Sequence, residues 1–143
     1  PSRGPQILTD FVLDASTVFA WAVDDEQDAR ALDALARLRK GAKALAPAVW
    51  WFEVRNALLM NERRGRLGEA DVTDILRGLA RLSVAIDRSP DETALLTLTR
   101  RHRLTVYDAA YVELAQRQGL PLASLDNPMR RAAVASGVTL LDG

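Results

Sequence analysis

The chain has 143 residues, of which 48% are hydrophobic and 27% charged, and its 19 basic and 19 acidic residues give a formal net charge of zero. This length suits a single domain with a substantial core, the apolar fraction excludes a disordered chain, and no apolar run approaches the roughly 20 residues of a membrane span. The absence of cysteine excludes disulfides, thiolate zinc sites and cysteine nucleophiles, and zero net charge disfavours a protein that holds nucleic acid by bulk electrostatics alone.

The charge is unevenly distributed along the chain. Residues 1–36 contain 7 acids and 2 bases, residues 37–66 contain 8 bases and 2 acids, and residues 67–143 contain 9 bases and 10 acids. Seventeen of the 19 cations are arginines, and the two lysines are Lys40 and Lys43. Solvated helix faces account equally well for any single run of charge.

Short apolar runs alternate with amphipathic patterns from Phe11 onward. The runs predict strands at residues 11–13, 44–46, 84–86, 121–123 and 138–141. The patterns predict helices from about residue 17, and at 28–40, 47–64, 68–82, 90–102, 105–118 and 128–136. This alternation predicts a three-layer α/β/α sandwich with a mainly parallel central sheet. Residues 1–10 carry no periodic signal and are interpreted as a disordered start or a cloning remnant, so that residues 11–143 form one domain.

Two aspartates follow predicted strands, at the sheet edge where ligands of such folds bind. Asp14 comes directly after the first strand, and Asp126 follows residues 122–125. Each also has a simpler explanation, because Asp14 could cap the following helix and Asp126 could be a turn residue before Asn127 as the N-cap.

Two further acids lie on predicted helices whose phase turns them inward. At 100° per residue, Glu53 is predicted to lie at the centre of an apolar stripe that also holds Asn56. The same calculation places Asp108 beside Tyr111, with Glu113 on the far side of its helix. We therefore expect two helical carboxylates to face the interior.

An inward carboxylate must be paired, protonated or bound to a metal. Glu53 could pair with a buried arginine, and Asp108 could be a capping-box acid with Thr105. Together, however, two acids at the sheet edge and two on inward helix faces favour a site. Oxygen ligands in a chain with no cysteine and one histidine suit Mg²⁺ or Mn²⁺ rather than zinc, and Mg²⁺ held in this way indicates phosphoryl chemistry.

Four segments of the chain resemble the PIN domain, and specifically the VapC-like toxins of bacterial type II toxin–antitoxin pairs. They are residues 12–16 (VLDAS), 52–58 (FEVRNAL), 104–111 (LTVYDAAY) and 122–126 (LASLD), in the family's order and spacing. The resemblance implies a quartet of catalytic and metal-binding acids: Asp14, Glu53, Asp108 and Asp126. The expected supporting residues are Ser16, Ser124, Asn56 and Thr105.

The same resemblance implies a cytoplasmic, Mg²⁺- or Mn²⁺-dependent endoribonuclease that cuts structured RNA and leaves 3′-hydroxyl and 5′-phosphate ends. It further implies a homodimer and a VapB-like antitoxin that blocks the site, and it implies no membrane partner. Some relatives carry another aspartate shortly after the fourth acid, where this chain has Asn127-Pro128-Met129. This departure leaves open whether the site holds one metal or two.

Other features narrow the alternatives. Trp51 is predicted to face outward, in a protein interface in preference to an RNA contact, whereas Trp21 and Trp50 are expected in the core. Haloacid-dehalogenase-type phosphatases and receiver domains are disfavoured because both normally use a downstream lysine, and none follows Lys43. A PIN nuclease of RNA processing and a non-catalytic PIN-like module remain as alternatives.

Overall fold

The computed structural model describes residues 9–23 and 28–141. Within these residues the strands are β1 (Phe11–Leu13), β2 (Ala44–Pro47), β3 (Val84–Asp87) and β4 (Leu122–Ala123). The helices are α1 (Ala15–Ala22), α2 (Ala29–Arg39), α3 (Ala48–Arg63), α4 (Glu69–Ala80), α5 (Glu92–His102), α6 (Val106–Gln118) and α7 (Asn127–Ala135).

The four strands form one parallel sheet in the order β3-β2-β1-β4. β1 pairs on both sides, and all three of its residues are fully buried, as expected of a parallel strand that is covered on both faces. The helices form two groups: α1, α2, α3 and α4 pack together, and α5, α6 and α7 pack together with α6 directly against the sheet. The predicted α/β/α fold is confirmed.

The register of β1 and β4 positions the site. Leu13 is aligned with Ala123, and the backbone N–H of Asp14 donates to the Ala123 carbonyl at 2.9 Å. The residues that follow the two strands, Asp14 and Ser124, therefore lie side by side at the carboxyl edge of the sheet. This edge is where parallel α/β folds bind ligands.

Element boundaries differ from the sequence predictions in several places. α1 begins at Ala15, two residues earlier than predicted, because Asp14 is its extended N-cap. Pro47 ends β2 and is the N-cap of α3, where the prediction made it helical. Instead of the predicted last strand, residues 138–141 form only an isolated bridge from Leu140 to Leu122. The prediction for residues 1–8 lies outside the described residues.

No helix in the described ranges is both long and apolar enough to cross a membrane. The core lies on both sides of the sheet and centres on β1 and α6. α6 ends at Gly119, which adopts a left-handed conformation with φ of 64°, a conformation that favours glycine. This stop returns the chain to β4 and hence to the edge that carries Asp14.

Candidate active site

Asp14 is the most buried of the four predicted acids, with 5% of its surface exposed. Its Oδ2 atom accepts hydrogen bonds from the Ser16 hydroxyl at 2.6 Å and from the Ser124 hydroxyl at 2.7 Å. Ser16 lies in the first turn of α1 and Ser124 follows β4, so two separate segments orient the carboxylate. Two hydroxyl donors stabilise the ionised form that a metal ligand or proton acceptor needs.

The two serines also fix the loop that leads to Asp126. Ser16 Oγ accepts from the backbone N–H of Leu125 at 3.0 Å, and Ser124 Oγ accepts from the N–H of Asp126 at 3.1 Å. Each hydroxyl therefore links Asp14 to the β4–α7 loop. The structure places the two predicted supporting serines at the centre of one hydrogen-bond network.

Asp126 is the N-cap of α7, since its Oδ2 accepts from the Met129 N–H at 2.9 Å. The alternative that made Asn127 the N-cap is wrong, because Asn127 is already the first helical residue. Capping uses one carboxylate oxygen. No hydrogen bond from the described residues reaches the other oxygen, which leaves it available to a ligand.

Glu53 lies half-buried on α3, where its Oε1 accepts a hydrogen bond of 2.5 Å from the Tyr111 hydroxyl of α6. The predicted position at the centre of the buried stripe is wrong. The residues of α3 that the fold buries are Trp50, Val54, Leu58 and Asn61. Glu53 lies on the flank of this stripe, and Asn56 is exposed, because α3 packs against α1 and α4 as well as following β2.

Asp108 lies in the first turn of α6 and is half-buried. Its backbone N–H donates to the Thr105 hydroxyl at 3.1 Å, so Thr105 caps the helix as half of the expected capping box. The reciprocal bond from the Thr105 N–H to the Asp108 carboxylate is not formed. Thr105 also lowers the pKa of the Asp108 carboxyl through a side-chain hydrogen bond, although burial and Asp126 outweigh this effect.

We call Asp14, Glu53, Asp108 and Asp126 the acidic cluster, and their charges act on one another. Burial raises the pKa of the Asp14 carboxyl, its two serine hydrogen bonds lower it, and the charges of Asp108 and Asp126 raise it further. Burial and then Asp126 raise the pKa of Asp108. Because like charges raise each other's pKa values only at close range, the fold brings these acids together.

The pKa of Glu53 is also raised, first by burial and then by the charges of Asp14 and Asp108, whereas the Tyr111 hydrogen bond lowers it. Burial and the neighbouring carboxylates raise the pKa of the Tyr111 hydroxyl, so it stays a neutral donor. A cation between the carboxylates would offset their repulsion. The cluster is thus an electrostatically strained arrangement that a positive charge relieves.

The donor set fits Mg²⁺ or Mn²⁺, because every candidate ligand is a carboxylate oxygen. As the side chains stand in the described ranges, no three acidic or imidazole groups converge on a single ion position. Mg²⁺ does not require such a cage, since it keeps several waters and takes one or two carboxylates together with a substrate phosphate. The residues that could take part in that mode of binding are Asp14, Asp108 and Asp126.

Sequence reasoning missed two interactions near the site. Tyr111 was placed beside Asp108 by helix phase, but nothing in the sequence indicated its bond to Glu53. Glu113 was expected on the far side of α6, yet it is 2% exposed. It pairs with Arg117 at 2.7 Å, and Arg117 also binds Asp87 at 2.6 Å at the end of β3. This ion network fixes α6, which carries Asp108 and Tyr111, against the sheet.

Two of the three tryptophans have the burial that the sequence predicted. Trp50 is buried, and Trp51 is exposed with the guanidinium of Arg55 3.7 Å from its ring centroid. Trp21 is only partly buried and donates its indole N–H to the Ala31 carbonyl. Phe52, next to Trp51, is exposed over 67% of its surface. Aromatic surface therefore lies directly beside Glu53.

Comparisons with known proteins agree with this fold. A protein-family model described as PIN domain matches residues 11–135. Ribonuclease VapC3 of Pyrobaculum aerophilum is 33% identical over 121 residues, which cover 82% of this chain and 90% of that protein. The crystal structure of PAE2754 from Pyrobaculum aerophilum matches with a TM-score of 0.69 and 22% identity over 88% of this chain and 86% of that one, a likeness of fold.

Proposed function

Because the chain belongs to the PIN-domain family, we propose that it is a Mg²⁺- or Mn²⁺-dependent endoribonuclease and the toxin of a toxin–antitoxin pair. The observation that carries this proposal is the acidic cluster at the carboxyl edge of the sheet, where, beyond the effect of burial, the charges of Asp108 and Asp126 raise the pKa of Asp14 and the charges of Asp14 and Asp108 raise the pKa of Glu53. The relative of 33% identity, named a ribonuclease, supports the choice of RNA as substrate.

The chemistry is hydrolysis of a phosphodiester bond. A bound Mg²⁺ or Mn²⁺ supplies a Lewis acid for the scissile phosphate and a more acidic water. Asp14, Asp108 and Asp126 would hold the cation at the sheet edge, where it would draw in the phosphate. Glu53 accepts the proton of the attacking water, because a carboxyl with a raised pKa is a better base than an ordinary one. The water oxygen joins phosphorus as the bond from phosphorus to the 3′-oxygen breaks, and the leaving 3′-oxygen takes up a proton from solvent, which gives 3′-hydroxyl and 5′-phosphate ends.

The serines and the tyrosine position these groups. Ser16 and Ser124 both donate to Oδ2 of Asp14, so its other oxygen would remain for the cation. Tyr111 does the same for Glu53. These contacts reduce the rearrangement needed when the substrate binds, which is how an active site lowers a barrier by preorganisation.

The proposed partners follow from the same function. A cognate VapB-like antitoxin binds the toxin and blocks the acidic cluster, and the substrate is a structured RNA in the cytoplasm. A second copy of the chain packs on a surface that we call the aromatic face. It consists of three aromatic residues and one valine: Trp51, Phe52, Tyr107 and Val106. All four side chains are exposed, and exposed aromatic surface is typical of the core of a protein interface.

Cleavage of a folded RNA by the purified protein tests the activity. We expect cleavage with Mg²⁺ or Mn²⁺, none with a chelator, and none by Asp14→Asn or Asp108→Asn. Asp74→Asn is the matched control, because Asp74 is exposed on α4. Wild-type cleavage by both site variants, with contaminating nuclease excluded, would overturn the assignment.

Growth experiments distinguish a toxin from a nuclease of RNA processing. Induction of the chain alone should arrest growth, and co-expression of a small antitoxin reading frame from immediately upstream should restore it. Sequencing of RNA 5′ ends after brief induction identifies the target. Normal growth together with accurate trimming of a precursor RNA would instead favour the RNA-processing nuclease, and an inert protein that still binds RNA would favour the non-catalytic module.

A further inference from the structure

A pocket of about 290 Å³ lies within the aromatic face, between the start of α3 and the start of α6. Ala48 and Val49 line it from α3, Tyr107 and Ala110 line it from α6, and Leu95 lines it from α5. All of its lining residues belong to the described part of the chain. The volume is at the lower limit of small-ligand sites, so the pocket suits one inserted side chain better than a whole metabolite.

Two carboxylates also line the pocket, those of Asp87 and Glu113, and both are already paired. Arg117 donates to the two oxygens of Glu113 at 2.7 and 3.1 Å and to the two oxygens of Asp87 at 3.2 and 2.6 Å. The other charged residue of the lining, Arg88, is exposed. The pocket therefore favours an uncharged side chain, because a charge buried there would find no carboxylate left to pair with it.

Phe52 stands one helical turn from this pocket, since it follows Ala48 by four residues and Val49 by three along α3. It is exposed over 67% of its surface. The Trp51 ring meets it at 71° with the centroids 5.1 Å apart, and the Arg55 guanidinium lies 3.7 Å from the Trp51 centroid. Because such contacts restrict the rotamers of an exposed ring, Phe52 is a projecting aromatic side chain that is held in place before any partner binds.

The aromatic face thus carries a projecting apolar ring and an apolar pocket side by side. In a dimer with two-fold symmetry the same patch lies on both sides of the interface, so a ring and a pocket that are neighbours on one protomer meet their counterparts twice. This self-complementarity favours a second copy of the chain as the occupant of the pocket. An RNA strand fits less well, because the pocket offers no unpaired buried cation for a phosphate.

Building on the nuclease and the dimer proposed above, we propose that Phe52 of each protomer enters the pocket of its partner and thereby positions the partner's acidic cluster. Activity then requires the dimer. Phe52 is a positioning residue that acts on the site of the other protomer, and it touches neither substrate nor metal.

The pocket is placed to act on the acidic cluster because its walls belong to the two helices that carry Glu53 and Asp108. Asp108 directly follows Tyr107, and Glu53 lies four residues after Val49. α3 packs mainly against α1, α4 and β2, whereas α6 packs mainly against α5, α7 and the sheet. A ring buried between the two helix starts would therefore fix a spacing that the single chain supports chiefly through the hydrogen bond from Tyr111 to Glu53.

The arrangement of the acids in the single chain is consistent with this role. Within the described ranges, no three acidic or imidazole groups converge on one ion position. A contact that adjusts the start of α3 against the start of α6 changes the separation of the Glu53 and Asp108 carboxylates. Dimer formation is thus a means of bringing the cluster into its metal-binding arrangement.

A mixed dimer of two inactive variants tests whether the contact acts between protomers. Phe52→Ala keeps the acids and loses the ring, whereas Asp14→Asn keeps the ring and loses an acid. Mixed dimers purified through a different tag on each chain should recover about half of the wild-type cleavage, because one of their two sites has both its acids and the partner's Phe52. Absence of recovery in such dimers would overturn the proposal.

Steady-state kinetics separate positioning from substrate binding. Phe52→Ala should lower kcat by roughly 10-fold or more with little change in KM, because misplaced catalytic groups slow the chemical step. Phe52→Leu, which keeps a large apolar side chain, should restore most of kcat. Val134→Ala, at an exposed apolar residue of α7, is the control and should change neither constant. A loss confined to KM would contradict a positioning role.

Sedimentation tests the contact without any cleavage. Phe52→Ala should raise the dissociation constant of the dimer by at least about 10-fold, as expected for an aromatic side chain at the centre of an interface. Ala110→Leu should have the same effect from the other side, because it fills the pocket from within, and it keeps the test open if Phe52→Ala does not fold. Val134→Ala should leave the dissociation constant unchanged.

Metal linkage gives a second measurement that does not depend on cleavage. If the dimer improves the arrangement that binds the cation, the cation must strengthen the dimer by the same factor, and such couplings are typically about 5- to 150-fold. Mn²⁺ should therefore lower the dissociation constant of the wild-type dimer and leave that of Asp14→Asn unchanged. Equal dissociation constants of the wild type with and without Mn²⁺ would show that the contact does not position the cluster.

The outcomes distinguish this proposal from the nuclease proposal. A wild-type protein that cuts no RNA would overturn the nuclease, and sedimentation with and without Mn²⁺ would still decide the pocket. A dimer unaffected by both Phe52→Ala and Ala110→Leu would overturn the pocket contact. A monomeric wild-type protein whose antitoxin binding is lost in the same two variants would also overturn it and would assign the pocket to the antitoxin.

Discussion

The Tyr111 hydroxyl donates a hydrogen bond of 2.5 Å to Glu53 Oε1, joining α6 to α3 across 58 positions of sequence. The bond lowers the pKa of a carboxyl that burial, Asp14 and Asp108 raise. Tyr111 therefore acts as a positioning residue, which keeps Glu53 ionised and oriented. It links the proposed proton acceptor to the helix that also carries Asp108.

Replacing Tyr111 with phenylalanine should shift the acidic limb of the pH–rate profile. Without the hydroxyl the pKa of Glu53 rises further, so the carboxyl is protonated at a higher pH and activity falls earlier as the pH is lowered. The measurement is kcat/KM against pH at saturating Mn²⁺. A uniform loss of rate at every pH, with the limb unmoved, would contradict this role.

Ser124→Ala should weaken metal binding and cleavage together. The change removes one donor to Asp14 Oδ2 and one acceptor for the Asp126 N–H, so it raises the pKa of Asp14 and loosens the β4–α7 loop. We expect a 10-fold or greater loss of cleavage, on the order of the effect of ligand-orienting residues in other metal sites. Ser83→Ala, at an exposed serine before β3, is the control. Equal activity of Ser124→Ala and Ser83→Ala would exclude the role.

Asp14→Asn should stabilise the metal-free fold while it removes activity. The pKa of Asp14 is raised in the folded state, so the folded protein holds this proton more tightly than the unfolded chain does. The stability that protonated Asp14 gives the folded protein is present at low pH. It is lost as the pH rises through the raised pKa of Asp14. At pH 7 the variant should melt at a higher temperature than the wild type, and the gain should shrink toward pH 4. A lower melting temperature at pH 7 would contradict this electrostatic strain.

Arg117→Met should destabilise the protein by about 3 kcal/mol, because it leaves the buried carboxylate of Glu113 without its partner. Arg37→Met is the matched control: Arg37 makes an ion pair of the same spacing with Asp33 at 2.8 Å, but at the surface, where such pairs contribute less than about 1 kcal/mol. Denaturant unfolding measures both. The double variant with Glu113→Leu should recover much of the loss, and failure to do so would assign the loss to packing.

Phe52→Glu with Tyr107→Glu should separate a dimer into monomers if the aromatic face binds a second copy. Charge on an interface core is strongly disfavoured because it must be desolvated. Sedimentation gives the mass of both forms, and circular dichroism confirms that the fold persists. A dimer that withstands both changes would place the interface elsewhere.

The sequence predicted the parts of the site that depend on local rules. Asp14 and Asp126 could be located because they follow strands of a parallel sheet, and Thr105 because capping residues precede helices. Glu53 was predicted to be more central than it is, since a helical wheel assumes one buried face and α3 has several neighbours. Glu113 was misplaced for the same reason, because a helix surrounded on most sides buries even its polar face when an arginine pairs with it.

Long-range pairs could not be derived from periodicity. The Tyr111–Glu53 bond, and the contacts of Asp87 with Arg117, join residues whose distance in sequence carries no signal. The predicted last strand also failed, because residues 138–141 are apolar enough for a strand but pair with β4 at only one position. Local chemistry therefore located the candidate ligands, whereas the contacts that orient them required the fold.

Calorimetric titration of Mn²⁺ into the purified protein tests the central claim most directly. The acidic cluster predicts saturable binding by the wild-type chain, binding at least 10-fold weaker in Asp14→Asn and Asp108→Asn, and wild-type binding in Asp74→Asn. Binding of equal strength in the wild type and both site variants would contradict the account.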